Sequence, residues 1–186
     1  MNIVHIKGDY VPKIIENIKE NLILEGRKTL IEKSYKELNI RDIAKTCGIG
    51  IGTFYNYFEN KEKFVHEIFM DDWRKIIGLS ESLKSSKEPL KDKIQKIYIY
   101  LDGFVDKYLS IFYEISMLKG YSPERDDDMK ELYTMVEDIL NIEKANGAIK
   151  SMLTPHCLSH FIVSNLVYLS KTKYISFDEL YCHMNI

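Results

Sequence analysis

Thr53, Tyr55, Asn56 and Tyr57 place three hydroxyls and one amide within five residues. Uncharged groups of this kind hydrogen-bond to phosphate oxygens and to the edges of bases. Phe54 and Phe58 stand among them, four apart. That spacing sets two side chains on one helical face and would fix that face to a core. Gly50 and Gly52 open the segment. Glycine there lets a backbone come close to DNA, and the free amides at a helix start favour phosphate. Lys61, just beyond, can add a charge contact to the DNA backbone.

Other chemistry-bearing residues admit plainer readings. His156 and His160 are four apart, with Cys157 between them, a spacing that can bind zinc. The Glu of a metalloprotease motif is missing and no further ligand follows by spacing, so a structural role and no metal are expected. Cys182 and His183 form a weaker version of the same pattern. Asp126, Asp127 and Asp128 fit a solvated first helical turn, where the helix dipole favours negative charge. The chain has no Gly-rich phosphate loop, nucleophile elbow or paired-cysteine motif. Neither an enzyme nor a bound cofactor is expected. Phe104, Tyr108, Phe112, Tyr133, Phe161, Asn165 and Tyr168 could line a cavity for an apolar or aromatic ligand, because such sites join apolar walls to a few polar groups. Aromatic stripes at helical spacing also make ordinary core, and both readings stay open for each residue.

The elements that must position the first group are two short helices and a tight turn. Asn39 caps a helix over 40–47, with Asp42 three residues on in a capping-box-like arrangement and Ile43 and Ala44 facing inward. Gly48-Ile49-Gly50 makes the turn, and 51–58 the second helix. Helices of about seven or eight residues do not stand alone in water. Both must pack on a first helix, capped by Asp9 with Pro12 in its first turn, whose apolar stripe is Ile15, Ile18, Leu22, Ile23, Leu30 and Ile31. Gly26 within it lets another backbone approach. Asn60 caps the next helix, carried by Phe64, Ile68, Phe69, Trp73, Ile76 and Ile77, and the stretch Ser80 to Lys87 reads as a loop. Pro89 opens a long helix on Ile94, Tyr98, Leu101, Val105, Tyr108, Phe112 and Ile115, ending at Gly120 with room for a break near Ser110. Ser122-Pro123 opens another, to about Ala145. Thr154-Pro155 opens one to about Lys173, and Ser176 caps the last.

Residues 156–170 contain no Asp, Glu, Lys or Arg. Fifteen residues are too few for a bilayer, and a helix apolar nearly all round is buried on all sides. A homodimer with this helix at its seam satisfies that need; so does a central place in a monomer.

Composition frames these readings. With 186 residues, 45% of them apolar, the chain can bury a real core, and four Pro and nine Gly leave room for long helices. The net charge of −2 argues against a strongly basic nucleic-acid binder. Its distribution says more: residues 1–63 hold eleven basic and nine acidic residues, and 64–186 hold fifteen and nineteen. A compact DNA-binding head on an acidic body fits that split. Cys47, Cys157 and Cys182 are scattered and suit reduced thiols rather than a disulfide framework. No signal-type opening and no eighteen-residue apolar run are present, so a cytoplasmic protein with no membrane association is expected.

The segment NIRDIAKTCGIGIGTFYNYFENK, Asn39 to Lys61, resembles the tetracycline-repressor (TetR) family of bacterial regulators. The likeness runs through Ile40-Arg41-Asp42-Ile43-Ala44, Cys47-Gly48-Ile49-Gly50, Gly52-Thr53-Phe54-Tyr55-Asn56-Tyr57-Phe58 and Asn60-Lys61-Glu62. Gly50 and Ile51 stand where the family often has Ser and Lys, and Tyr57 where it often has His, so one positive contact is lost. The resemblance implies that Arg41, Ile51, Thr53, Tyr55, Asn56, Tyr57 and Lys61 face a double-stranded DNA operator. It also implies a homodimer built largely by the last long helices and a small-molecule effector pocket among the middle ones. The resulting expectation is an all-α protein. Residues 1–63 form a three-helix, helix-turn-helix head, and 64–186 a helical bundle for ligand binding and dimerisation. Its expected function is that of a repressor released by an effector. An architectural or protein-recruiting DNA-binding role without an effector, and a zinc enzyme built on His156 and His160, are the competing classes.

Overall fold

The computed structural model describes residues 17–119 and 125–186, and among them eight helices and no strand. These are α1 (Ile18–Glu32), α2 (Ile40–Thr46), α3 (Ile51–Tyr57), α4 (Lys61–Lys84), α5 (Leu90–Lys119), α6 (Arg125–Ala145), α7 (Pro155–Thr172) and α8 (Phe177–Met184). The protein is all-α, with a three-helix head of α1–α3 and a helical body. The expected start of the first helix at Asp9, Pro12 and Ile15, and the Gly120 and Ser122-Pro123 punctuation, lie outside the described residues.

The caps follow the chemistry of the sequence. Asn39 accepts from the Arg41 amide, Asn60 from the Lys63 amide and Thr154 from the Cys157 amide. Ser176 and Glu179 form a reciprocal capping box. Each such cap stabilises its helix by about 1 kcal/mol. One expectation fails in part. Residues 80–84 are helical, not loop: Ser80 is fully buried and its hydroxyl donates to the Ile76 carbonyl (2.9 Å). Leu83 is buried one turn on, and Lys84 reaches Asp138 (2.7 Å). The polar residues there are satisfied within the helix or on its flank, so they do not end it. Nor is there a break at Ser110; α5 runs through it unbroken.

Two apolar clusters hold the molecule. One joins the head to the first turns of α4 and the far end of α5: Leu22, Leu30, Ile43, Phe54, Phe58, Phe64 and Ile68 meet Tyr108, Ile111 and Ile115. The other fills the body, where α7 packs on α5 and α6, and α4 lies against α5 and α6. Helices α4 and α5 belong to both. Gly26 is needed where α1 crosses α4: a methyl group there would stand 2.3 Å from the Phe64 ring and 2.8 Å from Ile68. The close neighbour is thus a pair of side chains rather than the backbone that the sequence suggested. Lys93 of α5 is 1% exposed and pairs with Glu143 of α6 at 2.6 Å, a buried charge matched at once by its counterion.

Helix α7 is not covered on all sides within one chain. Leu158, Ile162, Val163, Leu166 and Leu169 face the body core, while His160, Phe161, Ser164 and Tyr168 are exposed. Among the described residues no helix is long and apolar enough to cross a membrane.

Candidate nucleic-acid interface

Helix α3 is held from behind and bare in front. Phe54 and Phe58 are buried, with ring centroids 5.0 and 4.8 Å from Phe64 of α4. Each buried ring contributes about 1.5–3 kcal/mol by its area alone. Ile51, Gly52, Tyr55, Asn56 and Tyr57 are exposed on the other side, and Thr53 is half-buried. The turn before α3 needs a left-handed residue at Gly48 (φ 72°), which glycine adopts without strain. Ile49 then donates back to the Ala44 carbonyl (2.9 Å), and Gly50 caps α3 with no side chain over its first turn. A Cβ at Gly50 or Gly52 would meet no atom within 4 Å, so nothing inside the chain requires glycine at either place. Arg41 is exposed on α2. Lys61 turns toward the head: its Nζ stands 4.5 Å from the Tyr35 ring centroid and donates to the Lys36 carbonyl (3.5 Å).

The head is tied to the body by polar contacts that sequence patterning did not reveal. Glu114 of α5 accepts from the Tyr35 and Lys36 amides (2.9 and 3.0 Å), holding the turn between α1 and α2. Asp72 of α4 is buried and accepts from Lys75 Nζ (2.6 Å), Lys107 Nζ (2.7 Å) and the Tyr108 hydroxyl (2.7 Å). Arg27 of α1 lies 3.5 Å from the same carboxylate and pairs with Asp71. Burial opposes the charge on Asp72, but the hydrogen bonds from Lys107, Lys75 and Tyr108 and the Arg27 charge outweigh it. They hold its carboxyl well below the usual carboxylate range. Burial, then the bond to Asp72, pushes the Tyr108 phenol up. One sequence signal existed: Asp72 falls on the face that Ile68, Phe69 and Ile76 bury.

The seven candidate ligand residues fall into two separate groups. Phe104, Tyr108 and Phe112 pack ring to ring with Phe69 and Trp73, at centroid distances of 4.6 to 6.5 Å. Tyr108 is fully buried there and is occupied by Asp72. Tyr133 stacks on His160 (4.1 Å), while Phe161 and Tyr168 are exposed on α7 and the half-buried Asn165 donates to the Phe161 carbonyl (2.7 Å). His156 is bonded to Glu137 (2.9 Å). Among the described residues no group of three His, Cys, Asp or Glu side chains is disposed to hold a metal ion.

Residues 22–68, which include α2, the turn and α3, match the sequence model of the family described as bacterial regulatory proteins, tetR family. That segment carries the sequence signature of the tetR family. The chain is 25% identical over 159 residues to the HTH-type transcriptional repressor DhaR of a Mycobacterium species, covering 80% of this chain and 78% of that one. Over 62 residues, a third of each chain, it is 34% identical to the HTH-type dhaKLM operon transcriptional activator DhaS of Lactococcus lactis. The fold is that of the transcriptional regulator FadR of Bacillus subtilis, whose structure holds stearoyl-CoA, with a TM-score of 0.65, 20% identity and coverage of 87% and 92%. The chain is a DNA-binding transcriptional regulator.

Proposed function

We propose that the protein is a homodimeric, cytoplasmic repressor that a small-molecule effector releases from its operator. The observation that carries this reading is the outer face of α3. Ile51, Tyr55, Asn56 and Tyr57 are exposed together, while the helix is pinned by Phe54 and Phe58. A solvent-facing row of large side chains on a rigidly held short helix is suited to the major groove. Arg41 and Lys61 flank it with charge, and Gly50 and Gly52 keep the approach open.

In this reading residues 1–63 act as the head and 64–186 as the body, joined by α4. The uncharged outer face of α7, with Phe161 and Tyr168, pairs with a second copy. Two heads then sit in successive major grooves, about 34 Å apart, on a near-palindromic site. Effector control is supported by the family and by the stearoyl-CoA seen in the Bacillus subtilis regulator. An effector acts by binding one spacing of the heads better than the other. Because relatives include both a repressor and an activator, the sign of regulation is tested directly in transcription with and without effector.

The experiment is fluorescence anisotropy on the DNA flanking the protein's own gene, against random DNA, at two salt concentrations. Specific binding about a thousandfold or more above the random control supports the reading. Equal, steeply salt-dependent binding to both DNAs would overturn it in favour of an architectural role resting on phosphate contacts.

A further inference from the structure

The two apolar clusters meet at a polar seam, and a groove opens beside it between α4 and α5. Its volume is about 370 Å³, within the roughly 300–1,000 Å³ of small-molecule sites. Ile76, Ile99, Tyr100 and Phe104 give it apolar walls, and Lys75 and Lys107 are its cations. Both lysines are partly exposed, so their ammonium groups keep donors free for a second partner. The charge around the seam is unequal: among the described residues, the ion pairs of Arg27, Lys75 and Lys107 set three cations against Asp71 and Asp72.

Gly103 is the second observation. It lies in the middle of α5, one turn from Ile99 and one turn from Lys107, where glycine weakens a helix relative to alanine. A Cβ at Gly103 would meet nothing within 4 Å. No packing contact demands glycine there; its effect is to keep the groove open between the apolar wall and the cations.

We propose that this groove binds an amphipathic anion, its apolar part against Ile99, Tyr100 and Phe104 and its carboxylate or phosphate head on Lys75 and Lys107. The inference rests on the effector-controlled reading and names the class of effector. The head group competes with Asp72 for the two lysines. Asp72 is also the carboxylate that Arg27 approaches from the head, so occupation of the groove alters the link between body and head.

Trp73 is the single tryptophan of the chain, and its ring stands 5.3 Å from Phe104, which makes it a built-in reporter. The test titrates the full-length protein with dodecanoate, dodecyl phosphate and dodecanol, each below its micelle concentration, following Trp73 fluorescence and heat. At least one anion is expected to bind saturably and tenfold or more tighter than dodecanol. Lys107→Met should remove that preference. Gly103→Leu should fill the groove and weaken anion binding tenfold or more while melting no lower than the parent, because it adds a better helix former in open space. Saturation by neither anion, equal binding of dodecanol, or unchanged binding by Gly103→Leu would each overturn the proposal. The titration contains no DNA, so its failure leaves the operator reading standing, and failure of the operator experiment leaves this site standing.

Discussion

Helix α3 and the seam around Asp72 both display polar groups, but they are made in opposite ways. The α3 face is local: the short stretch 51–58 supplies the two buried anchors and the exposed side chains. Its polar groups point to solvent and have little internal work to do. The seam is assembled from distant parts of the chain. Arg27, Asp72 and Lys107 come from α1, α4 and α5, and they satisfy one another inside the protein. A local face can change its binding without changing stability. An assembled seam cannot lose one member without leaving another charge uncompensated.

The sharpest way to break this comparison is at Asp72. Asp72→Ala is expected to destabilise the fold by about 1–3 kcal/mol, measured by urea unfolding, because it leaves the buried Tyr108 hydroxyl without its acceptor and the mostly buried Arg27 without one of its counterions. A loss below about 1 kcal/mol would mean that water replaces the carboxylate. The same residue predicts an acid dependence. Its carboxyl titrates lower in the folded protein than in the unfolded chain, so its stabilisation is complete above the ordinary value of about 4 and is lost as pH falls below it. The stability difference between the parent and Asp72→Asn should therefore shrink on acidification below about pH 4.

Gly26→Ala should cost about 1–3 kcal/mol, read in the same unfolding assay, since the new methyl group overlaps the Phe64 ring and Ile68. On the other side of the comparison, Tyr55→Ala should weaken operator binding by about 1–3 kcal/mol and shift stability by no more than about 0.5 kcal/mol. A large stability loss would show that Tyr55 is structural after all. The smallest effect sharpens the contrast most. Gly52→Ala should raise stability by up to about 1 kcal/mol, because alanine suits a helix better and meets nothing, yet anisotropy should show weaker DNA binding.

The difference between the two regions also explains what could be read beforehand. The α2–turn–α3 unit was legible because its information is local: the Asn39 cap, the left-handed Gly48 and the Phe54–Phe58 spacing lie within twenty residues. The long helices were legible from their apolar repeats, and α7 and α8 from Thr154-Pro155 and Ser176. Ser80 to Lys84 misled because Ser and Lys suggest a loop, whereas back-bonding by Ser80 and burial of Leu83 keep them helical. Glu114 beneath the Tyr35 and Lys36 amides, 79 and 78 residues away, leaves no periodic trace at all. Tyr108 fitted its helical stripe, but nothing in the spacing could tell that its hydroxyl belongs to Asp72.

Helices α4 and α5 each contribute to both apolar clusters, and this has a thermodynamic consequence. Neither cluster can be dissolved without pulling apart helices that the other depends on. A head cut off at residue 63 would lose Ile68, Tyr108, Ile111 and Ile115 from its interior. The described chain should accordingly melt as one cooperative unit, with a single heat-absorption peak whose calorimetric and van't Hoff enthalpies per chain agree. The same rigid sharing means that a strain introduced on one side is transmitted to the other rather than absorbed between them.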